Sequence, residues 1–324
     1  MKCIFCREET AGSEEHIIPD ALGGTIVIRQ VCKPCNSKLG HDIDDALINS
    51  FPAQLARFTL GIANRDGKIP NPFGAGTTED GRRVQVDVKD GIPTPKLHVS
   101  KEKTEAGERW TIPVEDIAAL PTILTRERKR QGLPELGPAE LEAEVKTLLA
   151  QAERHSERPT IRHAKQVDVS GWPLALSKMA YEFAWHWLGD ACLDDPLMAT
   201  LRQSLVSGTT SPAISGQFAL GSGEAEPPFS LWAHQQGRHI AFLTEAKEHC
   251  FVGVRILNLC HLVVPVGKAA FGLGLGFDGK FLSIDPVTGS TEERSFVDEI
   301  SRIGTAMDDD VQAGTPSAGA TGTD

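Results

Sequence analysis

The sequence predicts an α+β protein, with a small metal-stapled unit at the amino terminus and a larger region of helices and antiparallel sheet after it. Three observations carry this. Two Cys-x-x-Cys pairs, Cys3/Cys6 and Cys32/Cys35, bracket the first unit. Apolar residues recur at helical spacing over residues 138–155, 172–193 and 195–206. From 229 to 296, short apolar runs alternate with Gly, Pro and polar breaks, the pattern of an antiparallel sheet.

Thiolates two residues apart suit a tight knuckle that offers two sulfurs to one tetrahedral Zn²⁺, and two knuckles complete a closed four-sulfur site. Four of the seven cysteines in the chain lie in these pairs. A shared structural zinc on Cys3, Cys6, Cys32 and Cys35 is therefore expected, rather than disulfides. No secretory leader pattern precedes Cys3, so a reducing, cytoplasmic setting is expected. Inside the clip, Glu15-His16 ends a short extended run, and residues 19–24 are turn-rich. Residues 25–31 (TIVIRQV) are β-branched and read as a second strand. From Asn36 onward, Leu39, Ile43, Leu47 and Ile48 keep helical spacing. The unit reads as strand, loop, strand, helix.

Glu15-His16 with Ile17 and Pro19, then Gly23-Gly24, then Cys32-x-x-Cys35-Asn36 with Lys38 and Gly40, form a recognisable series. This stretch resembles an HNH endonuclease domain of the ββα-metal class, in the subgroup pinned by two CxxC zinc knuckles. The resemblance covers residues 3–49 and implies hydrolysis of phosphodiester bonds in DNA. Such a reaction needs a deprotonated water in line with the scissile bond and stabilised charge on the phosphoryl and leaving oxygens. His16 then stands as general base, since an imidazole with a pKa of about 6.5 accepts a proton at working pH. Glu15 and Asn36 stand as hard oxygen donors to a single Mg²⁺ or Mn²⁺. His41 or Asp42, about one helical turn beyond Asn36, is the candidate for a third ligand. Neighbouring strand residues face opposite ways, so Glu15 and His16 share a site only if the strand bends there. The family's asparagine on the second strand has no counterpart in residues 26–29. The resemblance also suggests a role in bacterial defence. The alternative is a catalytically inactive zinc module that binds nucleic acid or a protein partner.

The 324 residues suggest three parts: an HNH domain at 1–60, an α+β accessory or regulatory domain at 61–302, and a disordered acidic tail at 303–324. The accessory domain is a candidate surface for a protein partner or oligomer. The net charge is −11, and residues 1–50 hold five Lys/Arg against eight Asp/Glu. This excludes nucleic-acid binding by bulk electrostatics and leaves only local attraction. No apolar run reaches membrane-spanning length.

Along the rest of the chain, residues 51–79 read as a loop-rich connector. Residues 82–89 and 97–101 read as a hairpin about Asp90-Gly91, with a further strand at 109–114. A helix over 118–130 ends in RERKR, the most basic local patch, which reads as a solvated helix end. Residues 172–193 carry three of the five tryptophans, and this segment reads as a buried core helix rather than a base-stacking surface. Gly272, Gly274 and Gly276 alternate within a strand-like run, so they form no dinucleotide loop. His249-Cys250 and Cys260-His261 read as buried thiols beside histidines.

Overall fold

The structure, a computed structural model, describes residues 1–89, 91–97, 99–105, 107–113, 117–153, 160–210, 217–221, 227–268 and 278–313. The chain forms two compact units, one of Met1–Pro72 with Gln166–Asp324, the other Phe73–Lys165.

In the first unit, β1 (Gly12–His16) pairs antiparallel with β2 (Val27–Cys32), and the chain turns directly into α1 (Lys33–Leu39). Pro34 sits in the first turn of α1, where its missing N–H costs nothing. The helix widens through one π-turn at Gly40–Asp44 and resumes as α2 (Asp45–Ile48). Helix α3 (Phe51–Leu60) follows, its first turn closed by the Ser50 hydroxyl accepting from the Ala53 N–H. Leu39, Ile43 and Leu47 are buried along one face, as their spacing requires.

The second unit holds β3 (Gly74–Thr78), β4 (Arg83–Lys89), β5 (Ile92–Leu97), β6 (Ser100–Thr104) and β7 (Gly107–Thr111). Helices α4 (Leu120–Arg130) and α5 (Pro138–Gln151) and the short β8 (Ile161–Arg162) complete it. One sheet runs β5-β4-β3-β8, and β6–β7 is a separate hairpin. The expected hairpin about residues 90–91 is present, but its return strand starts at Ile92, since Lys89 pairs with Ile92. The expected connector at 51–79 holds α3 and β3. The basic run ending α4 is partly neutralised within the unit: Arg128 pairs with Glu144 at 3.3 Å and Arg130 with Glu127 at 2.7 Å.

The chain then returns to the first unit with α6 (Trp172–Leu188) and α7 (Pro196–Ser207). Asp195 caps α7 by accepting the Leu197 N–H at 2.8 Å, and Gly208 ends it in the left-handed conformation. Strands β9 (Phe218–Leu220), β10 (His239–Ala246), β11 (His249–Ile256), β12 (Cys260–Lys268), β13 (Lys280–Ile284) and β14 (Thr291–Arg294) form an antiparallel sheet ordered β14-β13-β10-β11-β12-β9. The glycine-alternating run at 270–277 lies outside the described residues. Helix α8 (Phe296–Ala313) occupies part of the segment expected to be disordered, and residues 314–324 lie outside the described residues.

Strand alternation divides the core across the sheet. Ala241 and Leu243 of β10 face the main core with α6, while Ile240 and Phe242 face Phe229, Trp232, Phe281 and Ile303 on the other side. The main core also takes in Ile4, Phe5, Ile17, Leu22, Leu39 and Leu47 from the amino-terminal segment. The structure thus groups the chain differently from a division at residue 60. The amino-terminal segment does not keep a core to itself but shares the main core with α6. No helix among the described residues is long and apolar enough to cross a membrane.

Candidate metal centre and active-site cleft

The four cysteine sulfurs of Cys3, Cys6, Cys32 and Cys35 lie within 4.8 Å of one another. Cys6 Sγ and Cys32 Sγ are 3.8 Å apart, matching the edge of about 3.8 Å that Zn–S bonds of about 2.3 Å give a tetrahedron. Burial opposes ionisation of Cys3, yet the backbone N–H groups of Cys32, Cys6 and Phe5 hold its thiol down to about 7. Burial pushes Cys35 up, and the other three sulfurs beside it push it further. Such mutual crowding of sulfur is relieved by a cation, so the donor set fits zinc. Among the described residues no other His/Cys/Asp/Glu group converges in this way. Cys250 and Cys260 are buried, and burial pushes the Cys250 thiol up to about 11 and the Cys260 thiol higher still, as befits inert core thiols.

The zinc knuckles set α1 against the β1–β2 hairpin, and Asn36 completes the join. Its Nδ2 donates to the Glu14 carbonyl at 2.7 Å and to Ser13 Oγ at 3.2 Å. Ser13 Oγ in turn donates to the Val31 carbonyl at 2.9 Å. One amide thereby braces both strands. The loop after His16 closes tightly at Gly23-Gly24: Gly23 has φ +84°, and a Cβ on Gly24 would stand 1.8 Å from the Ile18 carbonyl oxygen.

The pairing of β1 with β2 shifts register between Ser13 and Glu15, the extra residue lying in β2, and β1 keeps its alternation. It does not bring Glu15 and His16 together. Glu15 is buried, and its carboxylate receives the ammonium of Lys178 on α6 at 2.5 Å. Lys178 also meets Asp44 at 2.9 Å and Glu182 at 3.5 Å. Burial would lower Lys178, but Asp44, Glu182 and Glu15 hold its pKa well above the usual lysine range. Burial drives the Asp44 carboxyl up to about 6, against the pull of Lys178, and drives Glu182 well above the carboxylate range. Burial thus favours the neutral form of Asp44 and Glu182, while Lys178 keeps its charge.

His16 lies on the other side of β1, in a solvent-open cleft of about 530 Å³. Glu14, two residues before it on the same face, lines the cleft, with Arg29 and Gln30 from β2. Arg65, after α3, and Trp185 and His186, in the last turn of α6, supply the rest of the polar lining. Glu14 and Arg29 are ion-paired at 2.5 Å. The His16 Nε2 stands 4.0 Å from Asp20 Oδ1, beyond hydrogen-bond reach. Burial lowers the pKa of His186, with Glu293 opposing and Lys280 assisting, so its imidazole is neutral at physiological pH. His41 is exposed beside Asp45 at 3.3 Å, and Asp42 pairs with Lys38 at 3.1 Å.

The expected oxygen donors therefore do not converge: Glu15 is held by Lys178, the Asn36 amide by β1, and His41 by Asp45. Sequence reasoning missed Lys178, Asp44 and Glu182, which carry no local signal of meeting Glu15. It also missed Arg65, Trp185 and His186. Glu14 was legible in principle, since strand periodicity puts it on the face of His16.

The HNH endonuclease family model matches residues 3–52. No curated protein and no solved structure matches the chain.

Proposed function

We propose that the amino-terminal module is an endonuclease that hydrolyses phosphodiester bonds in DNA, with His16 as the general base. The observation that carries this reading is His16 opening into a solvent-filled cleft that also presents Arg29 and Arg65. A phosphate in that cleft meets guanidinium groups that offset its charge, and the His16 imidazole takes the proton of an attacking water. Asn36 and the zinc act as positioning elements: they hold the strand that carries His16 against α1. A Mg²⁺ or Mn²⁺ ion would add charge stabilisation at the phosphate. Glu15, Asn36 and His41 do not fit it as a set, so no step is assigned to it. We further read the residues beyond the module as governing when cutting occurs, as in a bacterial defence protein.

The test is plasmid nicking by the purified protein with Mg²⁺, Mn²⁺ or EDTA, beside His16→Ala. Loss of a general base lowers the rate by about 10²–10⁴-fold. A second reading, an inactive zinc module that binds nucleic acid or protein, is favoured by one observation, the commitment of Glu15 to Lys178. Equal behaviour of the wild type and His16→Ala selects it.

A further inference from the structure

The two walls of the His16 cleft have different origins. Glu14, His16, Arg29 and Gln30 belong to the family-matched hairpin, whereas Arg65 and Trp185 come from chain beyond residue 52. We propose that Arg65 and Trp185 form the substrate-binding wall: Trp185 stacks an unpaired base of the strand being cut, and Arg65 holds a phosphate of the same strand. This rests on the reading of the cleft as a phosphodiester site.

Four observations carry it. Helix α6 is buried from Trp172 through Ala184, and Trp185, half-buried with part of its ring packed on the core, lines the cleft from a rigid mount. Its indole N–H donates to Asp190 Oδ1 at 2.8 Å, which fixes the ring, and little rotamer freedom is left to lose when a base packs on it. Arg29 already pairs with Glu14, while Arg65 makes no ion pair among the described residues. In a chain of net charge −11, an arginine with no carboxylate partner among the described residues, at the mouth of a histidine-bearing cleft, is matched to an anion. A second depression of about 440 Å³ adjoins the first, and Glu14, Arg29 and Gln30 line both. The trough along the hairpin thus takes more than one nucleotide. A base must leave its stack to lie on an indole face, so the substrate class is a strand with at least one unpaired nucleotide.

The experiment uses the zinc-loaded full chain, with Ca²⁺ in place of Mg²⁺ or Mn²⁺, with a labelled 16-nucleotide single-stranded DNA and the corresponding duplex, read by fluorescence anisotropy. Plasmid nicking kinetics run in parallel. Trp185→Leu keeps apolar volume but removes the π face, and Trp185→Phe keeps both. The expected result is tighter binding of the single strand than of the duplex, roughly tenfold weaker binding by Trp185→Leu, and near-wild-type binding by Trp185→Phe. Arg65→Ala weakens binding and reduces the slope of log K against log salt by about 0.7, and Arg65→Lys restores it. In nicking, these variants raise KM while kcat is kept. Wild-type affinity and KM in both Trp185→Leu and Arg65→Ala overturn the inference and leave the nuclease reading standing. Equal binding of single strand and duplex overturns the unpaired base. A wild type that neither binds nor nicks removes the nuclease reading, and the inference with it.

Discussion

Lys178 has no solvent exposure, yet its ammonium sits among Glu15, Asp44 and Glu182. A buried pair of this kind contributes little net stability against an apolar replacement of the whole set, but removing one partner leaves charge stranded. Lys178→Ala is expected to destabilise the protein by about 3–5 kcal/mol in urea unfolding. Lys178→Met, which fills the volume, should cost nearly as much, because the penalty is electrostatic. A cost below about 1 kcal/mol for either would contradict the cluster. His239 behaves differently. Its Nε2 donates to the Leu22 carbonyl at 2.8 Å, its Nδ1 has no donor among the described residues, and burial lowers its pKa to about 4. Its unfolded pKa is about 6.5, so the unfolded chain binds the proton first. Stability from His239 is complete above about pH 6.5 and is lost as pH falls towards 4. His239→Gln should remove roughly 2 kcal/mol of the stability difference between pH 7 and pH 4.5. Asp44, with its raised pKa, acts in the opposite direction over an overlapping range, so the comparison of variant with wild type is the decisive measurement.

At the scale of elements, the β1–β2 hairpin and α1 are held by the sulfur cluster and by the Asn36 brace. Metal binding of this kind supplies folding energy directly. Cys32→Ser, or zinc removal by a chelator, is expected to unfold the hairpin and loosen Ile4, Phe5 and Ile17 rather than merely silence activity. Near-UV circular dichroism and zinc content measured together test this. Retained near-UV signal in a zinc-free protein would show that the cluster is dispensable for folding. The strand–loop–strand–helix succession and the burial of Leu39, Ile43 and Leu47 follow from local pattern. The side of β1 that each glutamate takes also follows from pattern, since the period of two pairs Glu14 with His16. What Glu15 meets on the other side does not.

The whole first unit is tied together across long sequence separations. Tyr181 donates to the Ile4 carbonyl at 2.7 Å, Arg202 to the Phe5 carbonyl at 3.2 Å, and Arg7 pairs with Asp194 at 3.2 Å. Residues 1–60 expressed alone, with zinc, should therefore lack native dispersion in amide NMR spectra. A well-dispersed spectrum would show that the module carries its own core.

Local sequence specified the metal knuckles, the strand–loop–strand–helix order, the buried helix read over 172–193 and found over Trp172–Leu188, and the antiparallel strands read over 229–296. Each of these is written in spacing, turn chemistry or periodicity over a few residues. Only the tertiary structure decided that Glu15 is held by a lysine 163 positions away, that Asn36 spends its amide on β1, and that Trp185 emerges beside His16. These are meetings of residues whose local context is unremarkable. The pattern along a strand or helix says which face a side chain takes, but what occupies that face depends on packing between segments far apart in the chain.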